Sequence, residues 1–329
     1  MSGAVVAVTG ATSFLGRNLV ALLEEDERVQ RTVALDVKAP TRVGTKTRPY
    51  AVDFTEQLAE VRMGEIFGRE EVDTVVHLAF LSSPTNATAW AHEVESVGTM
   101  HVLNAARDAN VTKIVMRSHT LLYGAYPNNP NYLTEDHPLR ARRAEPYLAD
   151  KIRAERDVLS YGAEGKERTV TILRMAPLLG PSVRGYVGRY LTHRAVPTIL
   201  GFDPLWQLLH ETDAVAALKL SVDRDAPGIF NIVGDGVLPL STVVKLAGRV
   251  AIPMPRFAAR AILATLWLAQ VADAPPTLLD YLQYLCVADG ERARRHLGFA
   301  PAYTTRETVL DFAGAQHMRD ARLLTEATS

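Results

Sequence analysis

Val5-Val6-Ala7-Val8-Thr9-Gly10-Ala11-Thr12-Ser13-Phe14-Leu15-Gly16-Arg17-Asn18 carries an apolar run straight into a turn of small residues and then into a helical pattern. Strand, tight turn and helix N-terminus in that order offer backbone N–H groups, and the partial positive charge of the helix, to a pyrophosphate. Gly10 lets the turn double back, and Gly16 lets the helix lie close on the strand. Ser13 stands where such a turn usually has its middle glycine; its hydroxyl can donate to a phosphate oxygen, while its side chain narrows the space. Asp36 closes a second apolar stretch, Thr32-Val33-Ala34-Leu35, 26 residues after Gly10 and 20 after Gly16. A carboxylate there accepts both adenosine ribose hydroxyls and repels a 2′-phosphate, which favours NAD over NADP. Lys38, two residues on, can neutralise such a phosphate and keeps NADP open.

The 329 residues are 47% hydrophobic with a formal net charge of −1, the profile of a soluble globular enzyme with one large or two closely joined cores. No basic excess is present to attract nucleic acid; clusters such as Arg140-Ala141-Arg142-Arg143 and Arg292-Ala293-Arg294-Arg295 read as solvated helix faces. The single Cys286 excludes an intramolecular disulfide and a Cys-x-x-Cys metal site, so no metal is expected and a reducing, cytoplasmic compartment is the simpler reading. The N-terminus enters a strand at once, without the pattern of a secretory signal. The longest uncharged apolar run, Ala261 to Ala272, is about a dozen residues, too short for an integral membrane span. It reads as a helix buried against a substrate pocket or a partner subunit or, with Arg256 and Arg260 before it, resting on a membrane surface.

Apolar runs at Ala4 to Val8, Arg31 to Leu35, Thr74 to Leu78, Lys113 to Met116, Thr169 to Leu173 and Gly228 to Ile232 predict strands, with helical patterns such as Asn18 to Glu25 and Val97 to Asp108 between them. That alternation predicts an α/β fold with a parallel sheet covered on both faces. Past residue 178, Pro and Gly punctuation predicts a smaller, irregular, mostly helical lobe. Because Gly228 to Ile232 still reads as a core strand, the chain is expected to return to the sheet before its last helices.

Tyr147-Leu148-Ala149-Asp150-Lys151 places a phenol and an ammonium four residues apart, on one face of a helix. Oxidising an alcohol requires a base for the hydroxyl proton as hydride leaves carbon. A phenol with a pKa near 10 is a poor base at neutral pH, and a neighbouring cation favours its phenolate. Lys151 can supply that cation and also hold a nicotinamide ribose.

Thr9 to Gly16, Asp53-Phe54, His77-Leu78-Ala79, Gly98-Thr99, Ser118 to Gly124, Tyr147 to Lys151, Leu173-Arg174 with Leu179-Gly180-Pro181, and His210 with Asp213 together give the chain a resemblance to the extended short-chain dehydrogenase/reductases, the NAD-dependent epimerase/dehydratase family. The resemblance implies a Rossmann-type doubly wound parallel sheet over residues 1–178, rejoined around 205–235, and a substrate-binding lobe over 179–329 interleaved with it. It implies NAD seated by Gly10, Thr12, Ser13, Phe14, Leu15, Gly16, Asp36, Asp53, Phe54, Leu78, Ala79, Ala176 and Pro177, with Tyr147 and Lys151 at the nicotinamide. Tyr147 would be the general base or acid. A homodimer joined through two helices of each subunit is a further implication.

Four departures from the family pattern carry information. The family's substrate-holding Ser or Thr, four residues before the Tyr123-Gly124 pair, is His119 here; either this imidazole donates to the substrate oxygen, or it is packed away and Ser118 or Thr120 makes the contact. Thr120 and Leu121 stand where dehydratases need an acid pair, which argues against dehydration. Trp206 stands where nucleotide-sugar enzymes place a diphosphate-clamping arginine, and Pro276 to Tyr281 contains none. Arg184, Arg189 and Arg194 either compensate or lie on the surface. Trp206, Leu208, Leu209, Trp267 and the Ala261 to Ala272 helix suit a rather apolar small-molecule substrate instead. Glu95 also replaces the usual asparagine. The resulting expectation is Tyr/Lys-assisted hydride transfer at a secondary alcohol or ketone; the alternatives are a sugar or nucleotide-sugar epimerase with tightly held NAD and a non-catalytic NAD(P)-sensing protein.

Overall fold

Buried at five of its six positions, β1 (Ala4–Thr9) is a central strand, as an unbroken apolar run between two parallel neighbours must be. The computed structural model describes residues 3–81, 83–141, 146–183, 185–272 and 274–328. After β1 come α1 (Phe14–Glu25), β2 (Val29–Asp36), β3 (Thr47–Ala51), α2 (Ala59–Glu70), β4 (Thr74–His77) and α3 (Thr88–His92). A π-helical turn, Glu93–Val97, joins α3 to α4 (Gly98–Asp108); β5 (Lys113–His119), α5 (Pro146–Ala163) and β6 (Thr169–Met175) follow. The chain then makes β7 (Leu178–Leu179), α6 (Tyr186–Thr192), β8 (Ala195–Ile199), β9 (Leu205–Trp206), β10 (Leu209–His210), α7 (Glu211–Asp223) and β11 (Gly228–Ile232). It ends with β12 (Leu238–Pro239), α8 (Leu240–Leu246), β13 (Val250–Met254), α9 (Arg256–Leu268) and α10 (Thr305–Thr328).

Seven parallel strands form one sheet in the order β11-β6-β5-β4-β1-β2-β3. The chain reverses its direction of progress across the sheet between β1 and β4, and a crevice opens beyond the C-terminal ends of strands at such a point. Six of these strands match the apolar runs of the sequence. The seventh, β3, has no such run: Arg48, Pro49 and Ala51 are exposed, and a proline is tolerated there because β3 is the edge. In α1, Leu15, Leu19 and Leu23 recur at four-residue spacing and are buried on the sheet, each contributing roughly 1.5–3 kcal/mol.

β11 is contributed by the part of the chain after α7, and α7 packs on α1, where Lys219 Nζ meets Asp26 at 2.5 Å. A buried polar network ties β5, β6, β11 and α5 together: Arg174 pairs with Glu155 at 2.7 Å, Ser118 donates to Glu155, and Tyr123 donates to Asn231 at 2.8 Å. The second lobe is built on three two-stranded pieces, β7–β10, β9–β12 and β8–β13. Helix α9 begins at Arg256, earlier than the uncharged run, and only Ala259 in it is buried; Phe257, Ile262 and Leu268 are exposed. Among the described residues no helix is long and apolar enough to cross a membrane, and no group of three or more His, Cys, Asp or Glu side chains is placed to hold a metal.

Candidate active site

Gly10 adopts a φ of +68°, and a Cβ there would lie 2.8 Å from the Leu78 backbone; at Gly16 a Cβ would lie 2.2 Å from the Gly10 carbonyl oxygen. The turn therefore packs backbone on backbone, and α1 starts directly above β1. Ser13 is the N-cap of α1: its Oγ accepts from Gly16 N at 3.0 Å, which leaves its proton for a ligand oxygen. Thr12 donates through both N (2.8 Å) and Oγ1 (2.7 Å) to Asp36 Oδ2, so the turn itself aims the carboxylate at the end of β2. Phe14 and Leu15 open α1, and Leu15 is buried beneath it. Asp53 accepts from Thr55 N and Oγ1, while Phe54 is buried against Gly98 and its carbonyl accepts from His101. Ala176 N donates to Ile232 O and Pro177 O accepts from Leu209 N, which fixes the segment after β6. A backbone cradle, a helix N-terminus and a presented carboxylate fit the pyrophosphate and adenosine ribose of a dinucleotide.

A continuous chain of hydrogen bonds joins β1 and β4 to the turn that carries Glu95. Thr99 Oγ1 donates to Glu95 O at 2.6 Å, so it accepts from His77 Nε2 at 3.1 Å; His77 Nδ1 is then an acceptor, and Thr9 Oγ1 donates to it at 2.8 Å. Thr9 Oγ1 accepts in turn from Leu78 N and Ala79 N. Burial, with a smaller contribution from Lys151, pushes the His77 pKa down to about 3, consistent with this neutral tautomer. The strand ends that carry Gly10, Leu78 and Ala79 are thereby locked together.

Tyr147 and Lys151 lie on the first turns of α5, with Lys151 Nζ 4.7 Å from the centre of the Tyr147 ring. Both donate to one atom, the Leu81 carbonyl oxygen, at 2.8 Å and 3.3 Å. Lys151 is 2% exposed and also donates to both oxygens of the fully buried Glu95, at 2.8 and 2.9 Å. Glu95 sits in the π-helical turn, whose extra residue swings it inward, and it accepts from Leu81 N as well. Burial lowers the Lys151 pKa to about 8, with Glu95 opposing the shift; burial raises that of Glu95, against the pull of Lys151. The replacement of asparagine by glutamate thus gives the buried ammonium a counter-ion.

His119, at the end of β5, is buried, and neither ring nitrogen has a hydrogen-bond partner among the described residues. Burial holds its pKa well below the ordinary histidine value, with Arg117 and Lys151 adding to the effect, so it is a neutral imidazole with one N–H to give. The Ser118 hydroxyl points its proton at Glu155 and is committed to the structural network. Arg117, two residues before His119 and so on the same face of the strand, is 8% exposed and makes no hydrogen bond or ion pair with any described residue. Sequence reasoning passed over Arg117; the signal was a charged side chain inside a strand otherwise buried from end to end.

Beside Tyr147 lies an apolar cavity of about 330 Å³ that opens into the second lobe, lined by Leu121, Tyr186, Trp206, Leu263, Leu278 and Tyr281 among others. Leu121, Tyr186, Leu278 and Tyr281 also pack in the cluster that holds Tyr147, so cavity and phenol adjoin. Of the expected wall, Trp206 lines the cavity and Leu208 a small neighbouring void shared with Pro177 and Cys286. Leu209 is core beneath the sheet, and Trp267 lies in a surface depression with Arg189 and Asn86. Leu263 and Leu266 bring the apolar helix to the cavity. Arg194 is exposed; Arg184 lies outside the described residues, as do Arg142 and Arg143.

The family model for the NAD dependent epimerase/dehydratase family matches residues 6–233. An uncharacterized protein of Mycobacterium tuberculosis is 34% identical over 311 residues, 94% of this chain and 83% of that protein. A 3-diazoavenalumate denitrifying reductase from a Streptomyces species is 30% identical over 318 residues, 91% of this chain and 96% of that protein. Among solved structures, MoeE5 in complex with UDP-glucuronic acid and NAD is similar with a TM-score of 0.74 at 23% identity, over 95% of this chain and 99% of that one. The last likeness is one of fold.

Proposed function

The chain belongs to the NAD dependent epimerase/dehydratase family, and we propose that it is an NAD-dependent oxidoreductase interconverting a ketone and a secondary alcohol on a substrate with an apolar body. The observation that carries this reading is the meeting of Tyr147 Oη and Lys151 Nζ on a single oxygen, that of Leu81, beside the apolar cavity. An oxygen at that point receives a proton donor and a cation together, which is what a carbonyl oxygen gaining negative charge requires. When bound, a nicotinamide supplies or accepts the hydride. In reduction the substrate oxygen takes its proton from Tyr147 Oη, and the phenolate left behind is stabilised by the Lys151 ammonium. His119 gives its N–H to the same oxygen and holds it in place. Residues Gly10, Thr12, Ser13, Phe14, Leu15, Gly16, Asp36, Asp53, Phe54, Leu78, Ala79, Ala176 and Pro177 seat the cofactor. The carboxylate of Asp36, already oriented by Thr12, favours NAD.

The relative that is a reductase, and the apolar lining with Trp206 in place of a diphosphate clamp, favour net oxidoreduction over epimerisation of a nucleotide sugar. The test is transfer of deuterium from C4-deuterated NADH to the carbinol carbon of members of an apolar ketone panel, after calorimetry with NAD and NADP. Tyr147→Phe is expected to lower kcat/KM by roughly 10²–10⁴-fold with NAD affinity unchanged. Wild-type turnover in that variant sinks the assignment, and catalytic use of NAD without net NADH change identifies an epimerase. A homodimer joined across α4 and α5 is supported by the exposed Met100 and Leu159, with Trp90 of α3 close in sequence. Sedimentation of Met100→Asp as a monomer, against a wild-type dimer, checks it; a monomeric wild type removes the inference.

A further inference from the structure

The guanidinium of Arg117 is buried beside Tyr147 and Tyr186, on the strand face that carries His119, without a hydrogen-bond or ion-pair partner among the described residues. Five N–H donors fixed in a planar fork are expensive to take out of water unless an acceptor is supplied. The charges around it make the same point. Lys151 and Arg117 bring two positive charges within reach of one carboxylate, Glu95, and that carboxylate is already bonded through both oxygens to Lys151. His119 is neutral, so one positive charge is left uncompensated in the closed protein.

The position of the group says which molecule answers it. Its electrostatic neighbours are Tyr147, Glu95 and Tyr186, and Tyr186 lines the apolar cavity with its own hydroxyl buried and without a hydrogen-bond partner among the described residues. The phosphate-binding turn lies elsewhere: it follows β1, two strands from β5 in the sheet, about 10 Å away at the usual spacing. A dinucleotide seated on that turn leaves its phosphates at that end of the cleft. The missing anion therefore belongs to the other reactant.

We propose that Arg117, with His119 and Tyr186, forms a buried subsite for a carboxylate on the substrate, so that the substrate is an apolar keto or hydroxy acid. This rests on the oxidoreductase reading and narrows its substrate class. A carboxylate accepts the Arg117 fork through both oxygens, cancels the residual charge and leaves the hydrocarbon body to the cavity.

The test separates the two readings because it measures binding. Straight-chain carboxylates from hexanoate to dodecanoate and their uncharged amides are titrated calorimetrically into the NAD-saturated protein, for wild type, Arg117→Met and Arg117→Lys. At least one acid is expected to bind wild type ten or more times as tightly as its amide. In Arg117→Met that preference falls to within about twofold while NAD and amide affinities hold, and Arg117→Lys recovers part of it. Because Met removes an unpaired buried charge, the melting temperature of the ligand-free protein is expected to rise. Equal binding of acid and amide, no binding by any chain length at millimolar concentration, or a preference that survives in Arg117→Met overturns the subsite. Loss of NAD affinity in Arg117→Met assigns the residue to the cofactor and also overturns it. If the acid preference depends on Arg117 and no ketone accepts hydride, the subsite stands and the oxidoreductase reading fails.

Discussion

At the Gly10 end of the cleft most polar groups bond to one another, whereas at the Arg117 end three buried ones find no partner among the described residues. Thr9, His77 and Thr99 form a continuous chain of hydrogen bonds, Thr12 holds Asp36, and Ser13 caps α1. Arg117, His119 and Tyr186 have no such partners among the described residues. One end is largely bonded within the protein before any ligand arrives, with the Ser13 proton kept for a phosphate oxygen; the other acquires its missing bonds from a ligand. A cofactor common to many reactions can be met with backbone and a few short-range side chains. A particular substrate must be met with groups held in reserve, and the protein bears the desolvation of those groups while the site is empty.

That contrast predicts opposite signs for substitutions at the two ends. Between the two ends the larger expected effect is at Gly16, where even a methyl group would stand 2.2 Å from the Gly10 carbonyl and 2.8 Å from Ala11 Cα. Both obstacles are backbone, so α1 must move off β1. Gly16→Ala is expected to weaken NAD binding by on the order of 100-fold, about 2.7 kcal/mol, and to lower the melting temperature, read by calorimetry and thermal denaturation. Arg117→Met, by contrast, raises the melting temperature and spares NAD. If Gly16→Ala binds NAD like wild type, the completed character of that end is wrong.

The same division decides what could be read from the amino acids in order. The Gly10 end is written within Val5 to Asp36, because a strand, its turn and the next strand are consecutive and their spacing is set by local geometry. Tyr147 and Lys151 were legible for the same reason, four residues being one helical turn. The cavity end draws Leu121, Tyr186, Trp206, Leu263, Leu278 and Tyr281 from segments far apart in the chain, and no local period connects them. β3 escaped because an edge strand carrying Pro49 has no apolar run, and the role of Glu95 escaped because it depends on a π-helical turn that swings one side chain inward. Leu209 and Trp267 sit in segments whose sequence suggests the wall, yet one is core and the other surface, because a position near Trp206 or in the apolar helix does not fix which way a side chain faces.

Glu95 stands between the two ends and offers the smaller, sharper test. Its carboxylate is the counter-ion that keeps Lys151 charged: burial drives the ammonium pKa down from its ordinary value to about 8, and Glu95 is the largest influence in the other direction. Removing the negative charge with Glu95→Gln takes that support away, so the Lys151 pKa falls further and the neutral amine appears at lower pH. Ketone reduction needs the ammonium to stabilise the Tyr147 phenolate, so activity declines as pH rises through the Lys151 pKa. The alkaline limb of kcat/KM is therefore expected near pH 8 in wild type and below it in the variant, with activity at pH 8 lower by on the order of tenfold, the equivalent of one pH unit. At pH 6, where Lys151 is protonated in both proteins, the difference should shrink. A merely structural role for Glu95 would lower activity equally at every pH, and that outcome would detach Lys151 tuning from Glu95. A shifted limb with unchanged acid-over-amide preference would show that Glu95 serves the ammonium and leaves the Arg117 charge to the ligand, which is the separation between the two ends that the hydrogen bonds describe.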